Sequence, residues 1–295
     1  MSQLQEQLEA GKFAVTGEIG PPKGTNVEPL LEEAEKYLKG RVLAVNVTDI
    51  QTAVMRLGSM AVCHLLRDRG IEPVFQMVCR DRNRLALQSD LLSAHVLGIE
   101  NVLALTGDHN VLGDHPDSKP VFDLEAVGLL QCVRTLCEGR DMAGNELDGA
   151  PEFFPGAVVA PASEPVEMQI IRMQKKIAAG ARFFQTQAVY DVEQFAEFME
   201  QVSGLGVPVL CGIVLLKSVG MARFMNAIYR PFCGFIAIGY LTDKFWGQVM
   251  MNLVPGFKWT YIERDPLVDS LVAVIIYFFF GYRQRSKEKA VANVN

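Results

Sequence analysis

Few residues in this 295-residue chain combine a reactive side chain with a position suited to chemistry. Glu18 stands in Thr16-Gly17-Glu18-Ile19-Gly20-Pro21-Pro22, where two prolines forbid continuation of a strand and fix the chain's exit. A carboxylate at the end of an apolar strand is a candidate general acid, because burial raises its pKa towards neutrality. Asp108 ends Leu105-Thr106-Gly107-Asp108, and Gly107 allows the backbone to come close to a ligand. An Asx-turn at a strand end accounts for Asp108 equally well. Gln185 and Gln187 bracket Thr186, so strand alternation puts both amides on one face. Buried amides require hydrogen-bond partners, and a group that both donates and accepts suits a heterocycle such as a pterin. Arg172, Lys175 and Lys176 precede that strand. Arg172 and Lys176 are spaced i, i+4 and share a helical face, which would suit a phosphate or simply solvent.

These residues need a scaffold, and seven short apolar runs supply it. The runs deliver Glu18, Thr48, Gln76, Asp108, Ser163, the Gln185/Gln187 pair and Lys217 in turn. Helical patterns separate them, at Asn26 to Lys39, Thr52 to Arg69, Arg82 to Leu97, Asp123 to Glu138, Glu164 to Ala179 and Asp191 to Val202. Gly40, Gly70, Gly98 and Gly180 fall where helices should stop. Repeated βα units predict an α/β fold, a (β/α)8 TIM-type barrel over residues 1–295, whose chemistry collects on the rim past the strand ends. The segment from Asp108 to Pro120 is long for a rim loop, as loops over ligands tend to be.

The composition narrows the classes. A net charge of −6 is not that of a nucleic-acid binder. The six cysteines form no C-x-x-C pair, and Cys63, Cys79 and Cys211 lie in apolar runs as small buried hydrophobes. His64 reads as a core histidine. His95, His109 and His115 lack a metal-ligand spacing, so no metal is expected. Neither a G-x-G-x-x-G after the first strand nor a P-loop is present. The first residues lack the features of a signal peptide, which makes a reducing cytoplasm the expectation. Residues 228–295 are a divergent segment, aromatic-rich, with eight basic against five acidic residues. Ser270 to Tyr282 is too short to span a bilayer and reads as a buried last element with a solvated basic end.

From about Phe13 to Asn226 the chain resembles the methylenetetrahydrofolate reductase family. The carriers are TGEIGPP around Glu18, VNVTD at 45–49, LALTGDH at 103–109, KKIAAGARFFQTQ at 175–187 and CGIVLLKS at 211–218. The resemblance implies a homo-oligomeric flavoprotein of one-carbon metabolism that holds FAD in the barrel mouth. It would convert 5,10-methylenetetrahydrofolate to 5-methyltetrahydrofolate. By position Glu18 matches the general acid that protonates N10, Asp108 the aspartate beside flavin and pterin, and Gln187 the pterin-contacting glutamine, with Gln185 beside it. Thr48, Asp49, Gln76, Gly107, Asp108, Arg172, Lys175 and Lys176 fall in the flavin-binding segments.

Departures accompany the resemblance. Gly17, Ile19 and Gly20 replace the aromatic residues usual around the acid. Gln76 stands for a common histidine, Thr106 for an arginine and Pro161 for a tyrosine. Val219 and Gly220 offer no aromatic to stack a nicotinamide, so an electron-donating partner protein takes the place of NAD(P)H as expected donor. After Ile228 only Phe235–Tyr240 resembles the family's eighth strand. Two other readings fit the residues: a folate-dependent methyltransferase barrel without flavin, and a non-catalytic homologue acting as a partner subunit.

Overall fold

The computed structural model describes residues 1–216, 218–221 and 223. Seven strands form one parallel sheet in chain order: β1 (Thr16–Ile19), β2 (Ala44–Val47), β3 (Pro73–Val78), β4 (Asn101–Leu105), β5 (Phe154–Val159), β6 (Phe183–Ala188) and β7 (Val209–Gly212). Helices α2 (Glu28–Tyr37), α3 (Ser59–Asp68), α4 (Arg84–Val96), α5 (Ala126–Cys137), α6 (Val166–Ala179) and α7 (Val192–Val202) connect successive strands. This is the α/β architecture of the (β/α) barrel type. The expected eighth strand at Phe235–Tyr240 and the segment 228–295 lie outside the described residues, as does Lys217. No helix among the described residues is long and apolar enough to cross a membrane.

One hydrogen bond demonstrates the curl of the sheet. Gln185 Nε2 on β6 donates to Asn46 Oδ1 on β2 at 2.6 Å. In a flat sheet four strand spacings, about 19 Å, would separate those backbones. The pleat then sorts the side chains. Val45, Val47, Phe75, Met77, Val102, Ala104, Ala157 and Phe184 face the helices and build the larger core with Leu31, Leu66, Leu91, Leu129 and Phe198. Residues one place along each strand turn inward. At the N-terminal end Ala44, Val74, Leu103, Phe154, Phe183 and Leu210 form a second apolar cluster.

A short helix, α1 (Gln3–Glu9), closes that end by inserting Leu4 and Leu8 into the inner cluster. The sequence reading missed it, although Ser2 as N-cap and the i, i+4 leucines were the available signal. Glu72 anchors α1 by accepting from the amides of Gln3 and Leu4, and Ser2 Oγ donates to Asn101 Oδ1 at 2.6 Å. With this end sealed, the opposite rim is the open one.

Several boundaries differ from expectation, and three of the shifts have a visible tertiary cause. The helix expected from Thr52 begins at Ser59, because residues 50–57 are claimed by tertiary contacts. Leu57 N donates to Pro22 O, Arg56 Nη1 donates to Pro21 O, and Ala53 packs against Gly113. Helix α5 begins at Ala126 rather than Asp123, whose carboxylate is held by Arg84 at 2.8 and 2.9 Å. The seventh strand is Val209–Gly212, not Ile213 to Leu216, because pairing with β6 ends at Gly212. The four helix-ending glycines all adopt positive φ, as their placement requires.

Candidate active site

Pleat alternation delivers the polar side chains of the lumen in layers. Thr16, Asn46 and Gln185 form the lower one: Asn46 Nδ2 donates to Thr16 Oγ1 at 3.2 Å and to Gly17 O at 3.1 Å, while its oxygen accepts from Gln185. Gln185 is therefore engaged across the barrel through its Nε2. Asn46, overlooked in the sequence, is the reason, and its alternation with Thr48 was the signal.

Above this layer lie Glu18 and Gln76. Gln76 Nε2 donates to Glu18 Oε2 at 3.0 Å, reaching across β2. Ser59 Oγ donates to Gln76 O at 3.1 Å and fixes the β3 exit. Glu18 is half-buried, and its hydrogen-bond partner Gln76 is uncharged. Desolvation therefore raises its pKa from 4.5 to about 7, and the Gln76 hydrogen bond opposes that rise only in part. This is a carboxyl that exchanges a proton near neutral pH.

Thr48 and Asp49 separate at the end of β2. Thr48 is buried on the lumen side, and its Oγ1 has no hydrogen-bond partner among the described residues. A Cβ on neighbouring Gly20 would come within 3.5 Å of that oxygen. Asp49 turns away: its carboxylate accepts from Val78 N at 3.0 Å and from Arg82 Nη1 at 2.7 Å, with no exposed surface. Arg82 also pairs with Asp90 at 2.9 Å. The geometry makes Asp49 a brace between β2 and β3 rather than a group open to the mouth.

The β4 exit explains Gly107. Its φ is +92°, and an added Cβ would meet Val78 Cβ at 3.1 Å and Arg80 Cβ at 3.2 Å. The close approach expected of Gly107 is thus to β3. Asp108 follows, exposed at the rim, its carbonyl accepting from Arg80 Nη1 at 3.1 Å. The loop beyond is tied down by Asp114, which accepts from Lys23 Nζ at 2.6 Å and Met55 N at 3.0 Å. These donors, with His115, hold its carboxyl below the usual carboxylate range. His109 stacks on Phe122 with ring centroids 6.3 Å apart, so it is engaged within the loop.

Gln187 lies near the end of β6, where the pairing with β7 is irregular between Gln185 and Ala188, and is exposed. The structure brings Glu18 and Gln76 into contact, with Thr48, Asp108 and Gln187 at or past the C-terminal ends of β2, β4 and β6. The α6 cations form a separate group. Lys176 Nζ donates to Val158 O at 2.6 Å, whereas Arg172 and Lys175 are exposed. Burial and the nearby Arg172 charge both lower the Lys176 pKa.

Other readings resolve simply. Cys63, Cys79 and Cys211 are buried, and desolvation pushes the Cys79 and Cys211 thiols up to about 12. His64 is a correction: its side chain is partly exposed, with Nε2 3.6 Å from Asp68 Oδ2.

Comparison with known proteins bears on the family and the fold. The family profile described as Methylenetetrahydrofolate reductase matches residues 3–230. The chain is 25% identical over 208 residues to 5,10-methylenetetrahydrofolate reductase of Pectobacterium carotovorum subsp. carotovorum, covering 69% of this chain and 64% of that protein. It is 24% identical over 212 residues to Methylenetetrahydrofolate reductase 1 of Schizosaccharomyces pombe, covering 70% of this chain and 34% of the relative. The chain thus spans between a third and two thirds of those relatives' length. Among solved structures, an uncharacterized protein from Clostridium thermocellum that binds two copies of 5-methyl-5,6,7,8-tetrahydrofolic acid shares the fold. Its TM-score is 0.53 and its identity 19%, with 86% of this chain and 80% of that chain covered. With the family profile running through all seven strands and every residue of the open mouth, the chain belongs to the methylenetetrahydrofolate reductase family.

Proposed function

We propose that this protein binds FAD at the open end of the barrel and reduces 5,10-methylenetetrahydrofolate to 5-methyltetrahydrofolate, with Glu18 as general acid. The observation that carries the reading is Glu18 itself, a half-buried lumen carboxyl titrating at about 7 and oriented by Gln76. A group with that proton affinity is substantially protonated at neutral pH and still gives its proton up readily. The family match and the folate-binding relative from Clostridium thermocellum supply the substrate class.

The residues fit the cofactor. Thr48 Oγ1, buried and without a hydrogen-bond partner among the described residues, is a spare donor and acceptor just past β2. Arg172 and Lys176, with Lys175, are cations suited to the phosphates, and an anion there would offset their mutual repulsion. Bound FAD would supply the hydride, the part of the chemistry that no side chain provides. The chain does the rest. Gln187 donates to and accepts from the pterin edge. Asp108 orients the substrate from the rim. Glu18 delivers its proton to N10, opening the ring so that the folate methylene carbon becomes electrophilic. Reducing equivalents come from an electron-donating partner protein, since Val219 and Gly220 offer a nicotinamide no aromatic surface.

The test is Glu18→Gln, which keeps the size and the Gln76 contact but removes the acid. Folate reduction should fall by at least about a thousandfold, the contribution of a positioned acid, with FAD content and reduction by dithionite unchanged. Near-normal folate turnover by this variant would overturn the assignment.

A further inference from the structure

We infer that Arg80 is the positioning residue of the mouth, a guanidinium that locks the strand-end loops after β2, β3 and β4 into one frame and acts on folate through Asp108. The inference rests on the functional reading for its ligand, and on geometry for its frame.

Arg80 belongs to Cys79-Arg80-Asp81-Arg82, a run of charge just past β3. Arg80 is 1% exposed, the largest fully buried side chain among the described residues. A buried guanidinium demands partners for all of its N–H groups. Each nitrogen has one from a different quarter. Nε donates to Asp81 at 3.0 and 3.1 Å. Nη1 donates to the carbonyl of Asp108 at 3.1 Å. Nη2 donates to the carbonyl of Ile50 at 3.1 Å and to Asp81 Oδ2 at 2.7 Å. The Arg80 carbonyl in turn accepts from Val121 N at 2.7 Å. One residue therefore holds both ends of the 108–121 loop and the exit of β2.

The exit of β2 needs holding. Ile50 has φ +45°, followed by Thr52 at +54° and Ala53 at +57°. A β-branched residue in the left-handed region is strained and persists only where its surroundings over-determine it. The carbonyl that this conformation presents is the one Arg80 Nη2 grips. Ile50 lies two residues past Thr48, and Asp108 is the candidate substrate aspartate, so the clamp sets the two sides of the mouth relative to each other. Lysine cannot replace it: a single ammonium lacks the planar fork that reaches three acceptor directions at once.

Arg80→Lys, in the full chain, tests this by amide hydrogen exchange and by folate kinetics together. Exchange should accelerate at residues 50–53 and 107–121 while β1 to β7 keep their protection. The kcat/KM for methylenetetrahydrofolate should fall about ten- to a hundredfold, the effect of a misplaced contact, with the pH limb set by Glu18 unmoved. In an Asp108→Ala background Arg80→Lys should cost little more, because both changes act through one group. Unchanged exchange in the two segments, or losses that multiply in the double variant, would overturn the inference. Should Arg80→Lys fail to fold, Asp81→Ala frees the guanidinium from its orienting partner and should loosen the same segments; unaltered exchange there would also overturn it. Wild-type protein with no folate affinity would contradict the functional reading, and the exchange data would still decide the clamp separately.

Discussion

Gln76 on β3 donates its amide to Glu18 on β1 across the intervening strand, at 3.0 Å, and among the described residues it is the one hydrogen-bond donor that offsets Glu18's burial. An uncharged partner leaves the carboxyl near neutrality, where a cationic one would drive it down. Gln76→Leu should therefore move the Glu18 limb of the pH–rate profile upward by about one unit, the worth of one hydrogen bond to a charged group. Rates of flavin reoxidation by methylenetetrahydrofolate between pH 5 and 9 would measure it. A limb that stays in place would mean that Gln76 does not hold the ionised form.

The same carboxyl gives stability a pH dependence. Unfolded, Glu18 titrates at its ordinary 4.5; folded, at about 7. Its folded form prefers the proton, so its burial costs nothing below pH 4.5 and costs progressively more as pH rises through 7. The difference corresponds to about 3 kcal/mol at most. Glu18→Gln should match the wild type in urea unfolding at pH 4 and exceed it at pH 8. Equal stabilities at pH 8 would contradict the desolvated environment.

Gly107 should not tolerate a side chain. Gly107→Ala places a methyl against Val78 and Arg80 at a φ of +92°, which should cost about 1–3 kcal/mol. Chemical denaturation measures the loss, and activity should fall with it because Asp108 is the next residue.

Asp49 and Lys176 should separate by function. Asp49→Ala leaves Arg82 without its buried partner and should destabilise the fold by about 2–4 kcal/mol, while FAD affinity in the remaining folded protein is retained. Lys176→Met should do the reverse, weakening FAD binding about tenfold or more with little change in the unfolding midpoint. Titration of the apoprotein with FAD distinguishes the two.

The strand–helix alternation and the polar strand ends were legible because both follow from local pattern: apolar runs of strand length, helical spacing and glycines at positive φ. Glu18 was legible for the same reason, since Pro21 and Pro22 mark the strand's exit. What the sequence concealed depends on partners far along the chain. Arg80 is buried because carbonyls at Ile50 and Asp108 converge on it, each about thirty residues away. Residues 50–57 abandon the helix their spacing predicts because Pro21, Pro22 and Gly113 compete for them. The opposed directions of Thr48 and Asp49 follow from the pleat of β2, a rule that also identifies Asn46 as the partner of Gln185.

The most direct measurement mixes purified protein anaerobically with 5-methyltetrahydrofolate and follows its visible spectrum. A yellow protein that bleaches as folate is oxidised is the predicted result, since it registers bound flavin and hydride transfer in reverse at once. A folded, colourless protein that FAD does not reconstitute would contradict flavin-dependent folate reduction, and folate binding by that colourless protein would point instead to methyl transfer without flavin.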